Sequence, residues 1–510
     1  MPVTHGVAGS SPVQTALIPF ALEGFFWLIF KILYCWKISA IKTRIIIFLF
    51  FLFFSCIEND KKKLPNIILV MTDDQGWGQT SYYNHPILQT PNLDMMAANG
   101  LRLDRFYAGA PQCSPTRASV LTGKNNDRVG VFYHGYPLNK NEKTIAQELK
   151  KIGYSTGHFG KWHLNGVRGP GAPIFNDDEY NPGNYGFDKW LSSSNFFDTN
   201  PILSDNGIFK EFKGSSSMII VNEALKFIKK SVDESKPFFT VIWDGSPHNP
   251  FESSDIDKLG FEKLNKESRE HYGEIVAFDR SIGILRKTIN EIGVKENTII
   301  WYCSDNGGLN RIVPSTVGGL KGFKNTMWEG GLRVPAIIEW PKLIKPQISK
   351  YPVSTMDMFP TIMEIVGLND KQSLKNYDGE SIFDIFNSKK EIRSSNIPFR
   401  FDNRGALIHN NIKLIAQNIK NYEFELYDLL NDPTESNDIS KNNIALFEEM
   451  KDEFLEWNKT VEVDIKKKKI VEPLQWRDQE KYFPFFEKWN KRKEYSWYIK
   501  REPFSVLFEK

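Results

Sequence analysis

The 510-residue chain has little cysteine: Cys35, Cys56, Cys113 and Cys303 are the whole set. Their spacing matches no zinc-ligand pattern, and four cysteines in so long a chain exclude a disulfide scaffold. Each is therefore read by itself. The chain also lacks a charge imbalance. A formal net charge of +3 excludes the footprint of a nucleic-acid or membrane-surface binder. The runs Lys61–Lys63 and Lys466–Lys469 read as solvated faces or linkers. No internal repeat and no low-complexity tract is visible. The apolar run Ile45 to Phe54 is ten residues long, too short to span a bilayer comfortably.

That run has a different use. Lys42 and Arg44 precede it and Ser55-Cys56 closes it. A basic region, an apolar stretch and a small residue before cysteine resemble a bacterial lipoprotein signal, with Phe53 where Leu is usual. The alternative is an uncleaved anchor helix. A second apolar stretch, Phe25 to Trp36, is interrupted by Lys31, and residues 1–36 read as an over-extended start. The expectation is a leader over 1–56, a polar tether over 57–63 and folded protein from Leu64. It places the chain in a bacterial periplasm or on the outer membrane or cell surface, held to lipid only through Cys56.

Beyond the tether, short continuous apolar runs predict strands buried on both faces of a parallel sheet: Pro65–Met71, Tyr154–Phe159, Pro237–Trp243, Thr298–Cys303 and Pro335–Trp340. Between them, Ile275, Phe278, Ile282, Leu285 and Ile289 step by three and four, as do Val221, Ala224, Leu225 and Ile228. Ile145, Leu149 and Ile152 mark a further helix ended by Gly153. Alternating strands and helices give an α/β fold with a large, mostly parallel sheet sandwiched by helices. From about Asn403 the pattern changes to short antiparallel strands and one helix near Asn443–Trp457, a small C-terminal α+β subdomain over 401–465. Residues 466–510 are basic and aromatic and read as a helical tail.

Ligands in such sheets gather beyond the carboxyl ends of the strands. There the chain places Asp73-Asp74, Asp305-Asn306 and His248. Adjacent buried carboxylates repel unless a cation lies between them. An all-oxygen set of Asp73, Asp74, Asp305 and Asn306 suits a hard ion such as calcium or magnesium. Asp and Asn before Gly are also ordinary turn residues, so either pair alone says little. Gly160-Lys161-Trp162-His163 and Lys324-Asn-Thr-Met-Trp-Glu329-Gly-Gly add cations and an imidazole.

Cys113-Ser-Pro115-Thr-Arg117 opens the stretch CSPTRASVLTG. It fits the C-x-P-x-R signature of formylglycine-dependent sulfatases, of the alkaline-phosphatase-like superfamily. The short signature arises by chance in roughly one chain in a hundred. Its extension, with "TDDQG", "GKWH", "SPH", "SDNG" and "WEGG" following in family order, makes the resemblance specific from about Leu64 into the subdomain. The last matching motif is Leu426–Glu435.

The resemblance implies a catalytic domain over 64–400 and sulfate-ester hydrolysis. It implies that a maturation enzyme oxidises Cys113 to formylglycine, whose hydrated aldehyde is the nucleophile. Asp73, Asp74, Asp305, Asn306 and the modified Cys113 would hold calcium, with magnesium second. Arg117, Lys161 and Lys324 would hold sulfate oxygens. His248, with Lys324, would protonate the leaving oxygen. His163 would take the proton whose removal frees sulfate and restores the aldehyde. Secretion and aromatic-rich loops favour a sulfated polysaccharide or oligosaccharide, with Trp190, Phe196 and Asp198 as rim candidates and loop packing as their alternative role. Two rival readings stay open: a phosphate or phosphonate ester hydrolase on the same scaffold, and an inactive sulfated-glycan binder. Cys303, two residues before Asp305, reads as a buried strand thiol.

Overall fold

The structure is a computed structural model. It describes Lys31 and residues 63–475, apart from 169–170, 172–173, 196, 369–376 and 388–389. The expected lipoprotein signal with Cys56, most of the tether, the tail from residue 476 and Phe196 lie outside the described residues. The chain divides after Lys63, and Leu64 onward makes one compact unit. Among the described residues no helix is long and apolar enough to cross a membrane.

The sheet grows around β1 (Asn66–Thr72), whose seven residues are all buried. Its Ile-Ile-Leu-Val core alternates sides, so each face needs its own cover. The other strands are β2 (Leu101–Leu103), β3 (Ser155–Lys161), β4 (Lys189–Ser193), β5 (Ile202–Asp205), β6 (Ile208–Glu211), β7 (Phe238–Trp243), β8 (Thr298–Ser304), β9 (Ala336–Glu339) and β10 (Gln347–Ser349). Their order is β10-β2-β9-β8-β1-β7-β3-β4-β5-β6. The five central strands, β8-β1-β7-β3-β4, run parallel.

Ile67, Leu69 and Met71 of β1 face one cluster, with Val241, Trp301 and Cys303 from its neighbours. Helices α2 (Cys113–Thr122), α3 (Ile145–Lys151) and α6 (Met358–Ile365) cover it, through Val120, Leu121, Ile145, Leu149, Phe359 and Ile362. Ile68 and Val70 face the other side with Ile242 and Ile300, under α1 (Pro91–Asn99), α4 (Ser216–Asp233) and α5 (Lys266–Glu291). Each such aliphatic side chain contributes about 1.5–3 kcal/mol by burial.

Three elements differ from the sequence expectation. β9, over the run expected as parallel, pairs antiparallel with β8. A strand buried on both faces shows the same unbroken apolar run whichever way it points. The subdomain sheet has four antiparallel strands: β11 (Ile397–Phe401), β12 (Arg404–His409), β13 (Ile412–Asn418) and β14 (Glu423–Asp428). Pro398 hid the first of these from the sequence pattern, and as an edge strand β11 tolerates it. Finally, α7 (Ile444–Lys466) runs nine residues past the expected end, with Val461 still buried. Beyond it Leu474–Gln475 is extended and pairs with Val167–Arg168.

The subdomain sheet is packed on both faces. Leu407, Leu414 and Leu426 meet Met450 and Phe454 of α7. Phe399, Ile408 and Ile415 meet Tyr107, Met327, Leu332 and Met356 of the large domain. The second contact presses the subdomain against the loop that carries Lys324.

Candidate active site

Four neighbouring parallel strands deliver the site. β8 ends in Asp305-Asn306, β1 in Asp73-Asp74, β7 runs on towards His248, and β3 ends in Lys161 with His163 two residues later. Backbone bonds stitch these ends together. Asp305 N–H donates to the Thr72 carbonyl at 3.1 Å, Asp244 N–H to Met71 at 2.8 Å, and Asp73 N–H to Ser246 at 3.0 Å. Gly307 is required by close approach, since a Cβ there would stand 1.9 Å from the Gly330 carbonyl oxygen. Asp74, His163 and Asn325 have φ of 64°, 55° and 71°. Left-handed backbone at non-glycine residues costs energy and gathers at functional sites.

Cys113 is the first residue of α2. Gln112 before it is extended, and the Thr116 N–H closes the first turn on the Gln112 carbonyl at 3.1 Å. Gly123, at φ 68°, ends the helix in the left-handed region. All ten residues of α2 are buried. Its amino end therefore faces the site as a source of partial positive charge. The Ser114 hydroxyl donates to the His163 carbonyl at 2.7 Å, which ties the imidazole's segment to the residue after Cys113.

Around Cys113 the charges interlock. Arg117 donates through Nη2 to Asp73 at 2.9 Å and to Asp305 at 2.8 Å, and through Nη1 to the Lys161 carbonyl at 3.1 Å. The Lys161 ammonium lies 2.5 Å from Asp73 Oδ2, and the Lys324 ammonium 2.5 Å from Asp74 Oδ1. Asn306 Nδ2 donates to the same Asp74 oxygen at 2.7 Å. His248 Nε2 stands 3.8 Å from Asp74 Oδ2. Donor atoms of Asp73, Asp74, Cys113 and His248 all lie within 4.8 Å of one another.

Burial and charge set the protonation pattern. Burial alone would raise Asp73, but Lys161, His248 and Arg117 hold it well below the usual carboxylate range. Burial and the neighbouring Asp73 push Asp305 up to about 7. Burial pushes the Cys113 thiol up to about 11. Burial, helped by Lys161 and Lys324, pulls His248 down to about 3. Burial and Lys161 likewise hold His163 well below the ordinary histidine range. An unmodified Cys113 is thus a protonated thiol, a poor nucleophile beside hard oxygen donors.

The sulfatase family model matches residues 65–368, and a model of the N-sulphoglucosamine sulphohydrolase C-terminal region matches 321–460. The chain belongs to the sulfatase family. It is 33% identical over 342 residues to N-acetylgalactosamine-6-sulfatase of Sus scrofa, covering 60% of this chain and 62% of that one. It is 29% identical over 383 residues to an ulvan-active sulfatase of Formosa agariphila, covering 68% and 71%. Its fold matches the crystal structure of Ps i-CgsB in complex with k-i-k-neocarrahexaose, with TM-score 0.70, 24% identity and coverage of 85% and 99%. The chain spans about 62% of the length of the N-acetylgalactosamine-6-sulfatases of Rattus norvegicus and Canis lupus familiaris.

The donor set of this sulfatase-family site fits a divalent cation. Asp73 Oδ1 and Asn306 Oδ1 are fully buried and accept no hydrogen bond. Buried oxygens in that condition are costly unless something positive meets them. Asp73, Asp74, Asp305 and Asn306 would supply the oxygens, and His248 stands close enough to share the site.

The rim candidates fare differently. Trp190 is 2% exposed, on β4, and packs in the main core beside Tyr185 and Phe187. It is a core residue and not a rim residue: its side chain faces the cluster under α3. Asp198 is also buried, near Glu274 and lining a small cavity with Ser253. Aromatic and acidic loop residues look the same in sequence whether they face a ligand or a core. Cys303 is a buried strand thiol, as expected.

A second charge cluster escaped the sequence reading. Glu329 Oε1 lies 3.0 Å from the Lys413 ammonium, and Glu435 Oε1 lies 2.8 Å from it. Glu435 Oε2 accepts the Glu329 N–H at 2.6 Å, and the Glu435 carbonyl accepts Lys321 at 2.9 Å. Lys413 is on β13 and Glu435 closes the Leu426–Glu435 motif, so the subdomain clamps the Lys321–Glu329 segment and hence Lys324. The two motifs were visible in sequence; the lysine that joins them carries no local signal.

Proposed function

We propose that this chain hydrolyses sulfate esters on a sulfated polysaccharide or oligosaccharide, with Cys113 matured to formylglycine and calcium bound at the strand ends. The observation that carries this is the convergence of Cys113, Arg117, Lys161, His163, His248 and Lys324 with three aspartates and Asn306 around one helix amino end. The carboxylates of Asp73, Asp74 and Asp305 balance the cations Arg117, Lys161 and Lys324. Such a neutral cluster would take up a divalent cation whose charge is met by the singly charged ester and the ionised nucleophile together.

In this reading the matured residue supplies the hydroxyl nucleophile, and a cation held by Asp73, Asp74, Asp305 and Asn306 would supply charge that eases its ionisation. Lys161, Lys324, Arg117 and the α2 amino end orient the sulfate and offset the charge that builds in the transition state. Lys324, protonated beside the neutral His248, is the proton donor to the leaving oxygen, so the alcohol departs neutral. His163, neutral and with both ring nitrogens unpartnered, is set to accept the proton whose removal releases sulfate. One water enters per ester; alcohol and sulfate leave. The sulfated glycans named for relatives support this substrate class. We extend the proposal to a lipoprotein held through Cys56 at a bacterial periplasmic or outer-membrane surface.

The test is desulfation of defined sulfated oligosaccharides with and without EDTA, beside aryl sulfate and aryl phosphonate. Metal-dependent release of sulfate is expected. Preference for phosphonate by orders of magnitude, or a Cys113 peptide whose mass stays that of the thiol after expression with a maturation enzyme, overturns the reading.

A further inference from the structure

We propose that an arc of polar groups around the mouth of the site binds a second acidic group of the substrate, a carboxylate or a further sulfate on the esterified sugar or its neighbour. The inference rests on the sulfate-ester reading.

The arc begins at the residues adjoining the machinery. Gln112 directly precedes Cys113, and Asn325 directly follows Lys324. Gln112 Nε2 donates to Asn325 Oδ1 at 3.1 Å, and Gln112 Oε1 accepts the His134 N–H at 2.8 Å. Arg168 Nε donates to the His134 carbonyl at 3.1 Å, and Arg404 Nη1 to the Asn325 carbonyl at 2.9 Å. Four hydrogen bonds thus run unbroken from one guanidinium to the other, past the nucleophile position. His134 and Asn325 are exposed, whereas the His134 ring centre is 6.4 Å from that of buried His163. The arc therefore stands where solvent meets the reaction centre.

Both guanidiniums are held yet uncommitted. Arg168 lies over the Tyr136 ring at 5.5 Å and Arg404 over the Phe401 ring at 5.6 Å. Neither has a carboxylate within 4.0 Å among the described residues, unlike Arg102, Arg128, Arg286 or Arg393. A stacked guanidinium pinned by one bond keeps its other donors in a planar fork, the geometry that takes carboxylate or sulfate oxygens. The two arise from different parts of the chain. Arg404 starts β12 of the subdomain, and Arg168 sits on the strand that pairs with Leu474–Gln475. The reaction centre needs neither to cleave an ester, so they serve recognition.

The experiment measures kcat/KM of the full chain on three disaccharide sulfates: one with a neutral neighbour, one with a uronate neighbour and one bearing a second sulfate. Arg168→Gln and Arg404→Gln are each expected to lower the ratio of the acidic to the neutral substrate at least tenfold, chiefly through KM, with Arg404→Lys recovering part. A fall on the uronate alone identifies the carboxylate, and on the disulfate alone the sulfate. An unchanged ratio for both overturns the proposal, provided melting shows the variants folded. A variant that does not fold is replaced by its Lys counterpart under the same criterion. Should the wild type cleave no sulfate ester, the functional reading falls by itself. The arc is then judged by calorimetric binding of the same sugars, where equal affinity of wild type and Arg404→Gln overturns it.

Discussion

Asp73 and Asp357 are both fully buried aspartates facing an arginine, and they are built for different ends. Asp357 takes Arg393 bidentately at 2.7 Å on each oxygen, and the Ser354 and Glu380 N–H groups complete its bonding. Asp73 is approached by Arg117 and Lys161 on one oxygen and keeps Oδ1 without a partner. Burial raises Asp357 above the ordinary carboxylate range, with Arg393 opposing it, while the ring of cations drives Asp73 below that range. A closed pair holds a fold together; an unfinished one is ready for something that arrives later.

The sharpest break is at Cys113, the proposed nucleophile. Cys113→Ala should lower sulfate-ester turnover by at least about 10³-fold in steady-state assays, with its melting temperature close to wild type. Next comes the paired exchange of the two aspartates. Asp357→Asn leaves buried Arg393 with only the more distant Glu380 carboxylate, 3.9 Å away, and should cost about 3–5 kcal/mol in denaturant unfolding. Asp73→Asn leaves Arg117 its Asp305 partner, so it should cost less stability than that and lower kcat/KM by about 10²-fold or more. Equal stability losses would erase the distinction. Calcium sharpens it: added to chelated wild type at a hundred times its Kd, it should stabilise by about 2.7 kcal/mol in a thermal shift. Asp357→Asn should keep that gain and Asp73→Asn lose it. The smallest effect belongs to Trp190→Phe, which should cost about 1–2 kcal/mol as a core truncation and leave kcat/KM on aryl sulfate within about twofold.

Much of the site was legible because its residues sit in short motifs at strand ends, where an apolar run announces the strand and the next two residues the chemistry. Asp73, Asp74, Asp305 and Lys161 needed no tertiary knowledge beyond that rule. Pro115, two residues after Cys113, suits the first turn of the helix that begins there. What stayed hidden depends on partners distant in sequence. The direction of β9, the burial of Trp190, and the meeting of Lys413 with Glu329 and Glu435 are settled by packing between segments that share no local pattern. The arc through Gln112, His134 and Asn325 is hidden for the same reason, since each link is an ordinary loop residue until its neighbour is known.

The complete burial of α2 has a consequence for the order of events. Once the large sheet has closed over Val120 and Leu121, the Cys113 sulfur is reached by small molecules alone. Any protein that must grip the residues around it has to do so while they are still a slack, unfolded thread. If Cys113 is matured as proposed, modification and folding compete for the same few residues, and whichever is faster decides the fate of each copy. A chain that folds too eagerly would be perfectly shaped and permanently inert.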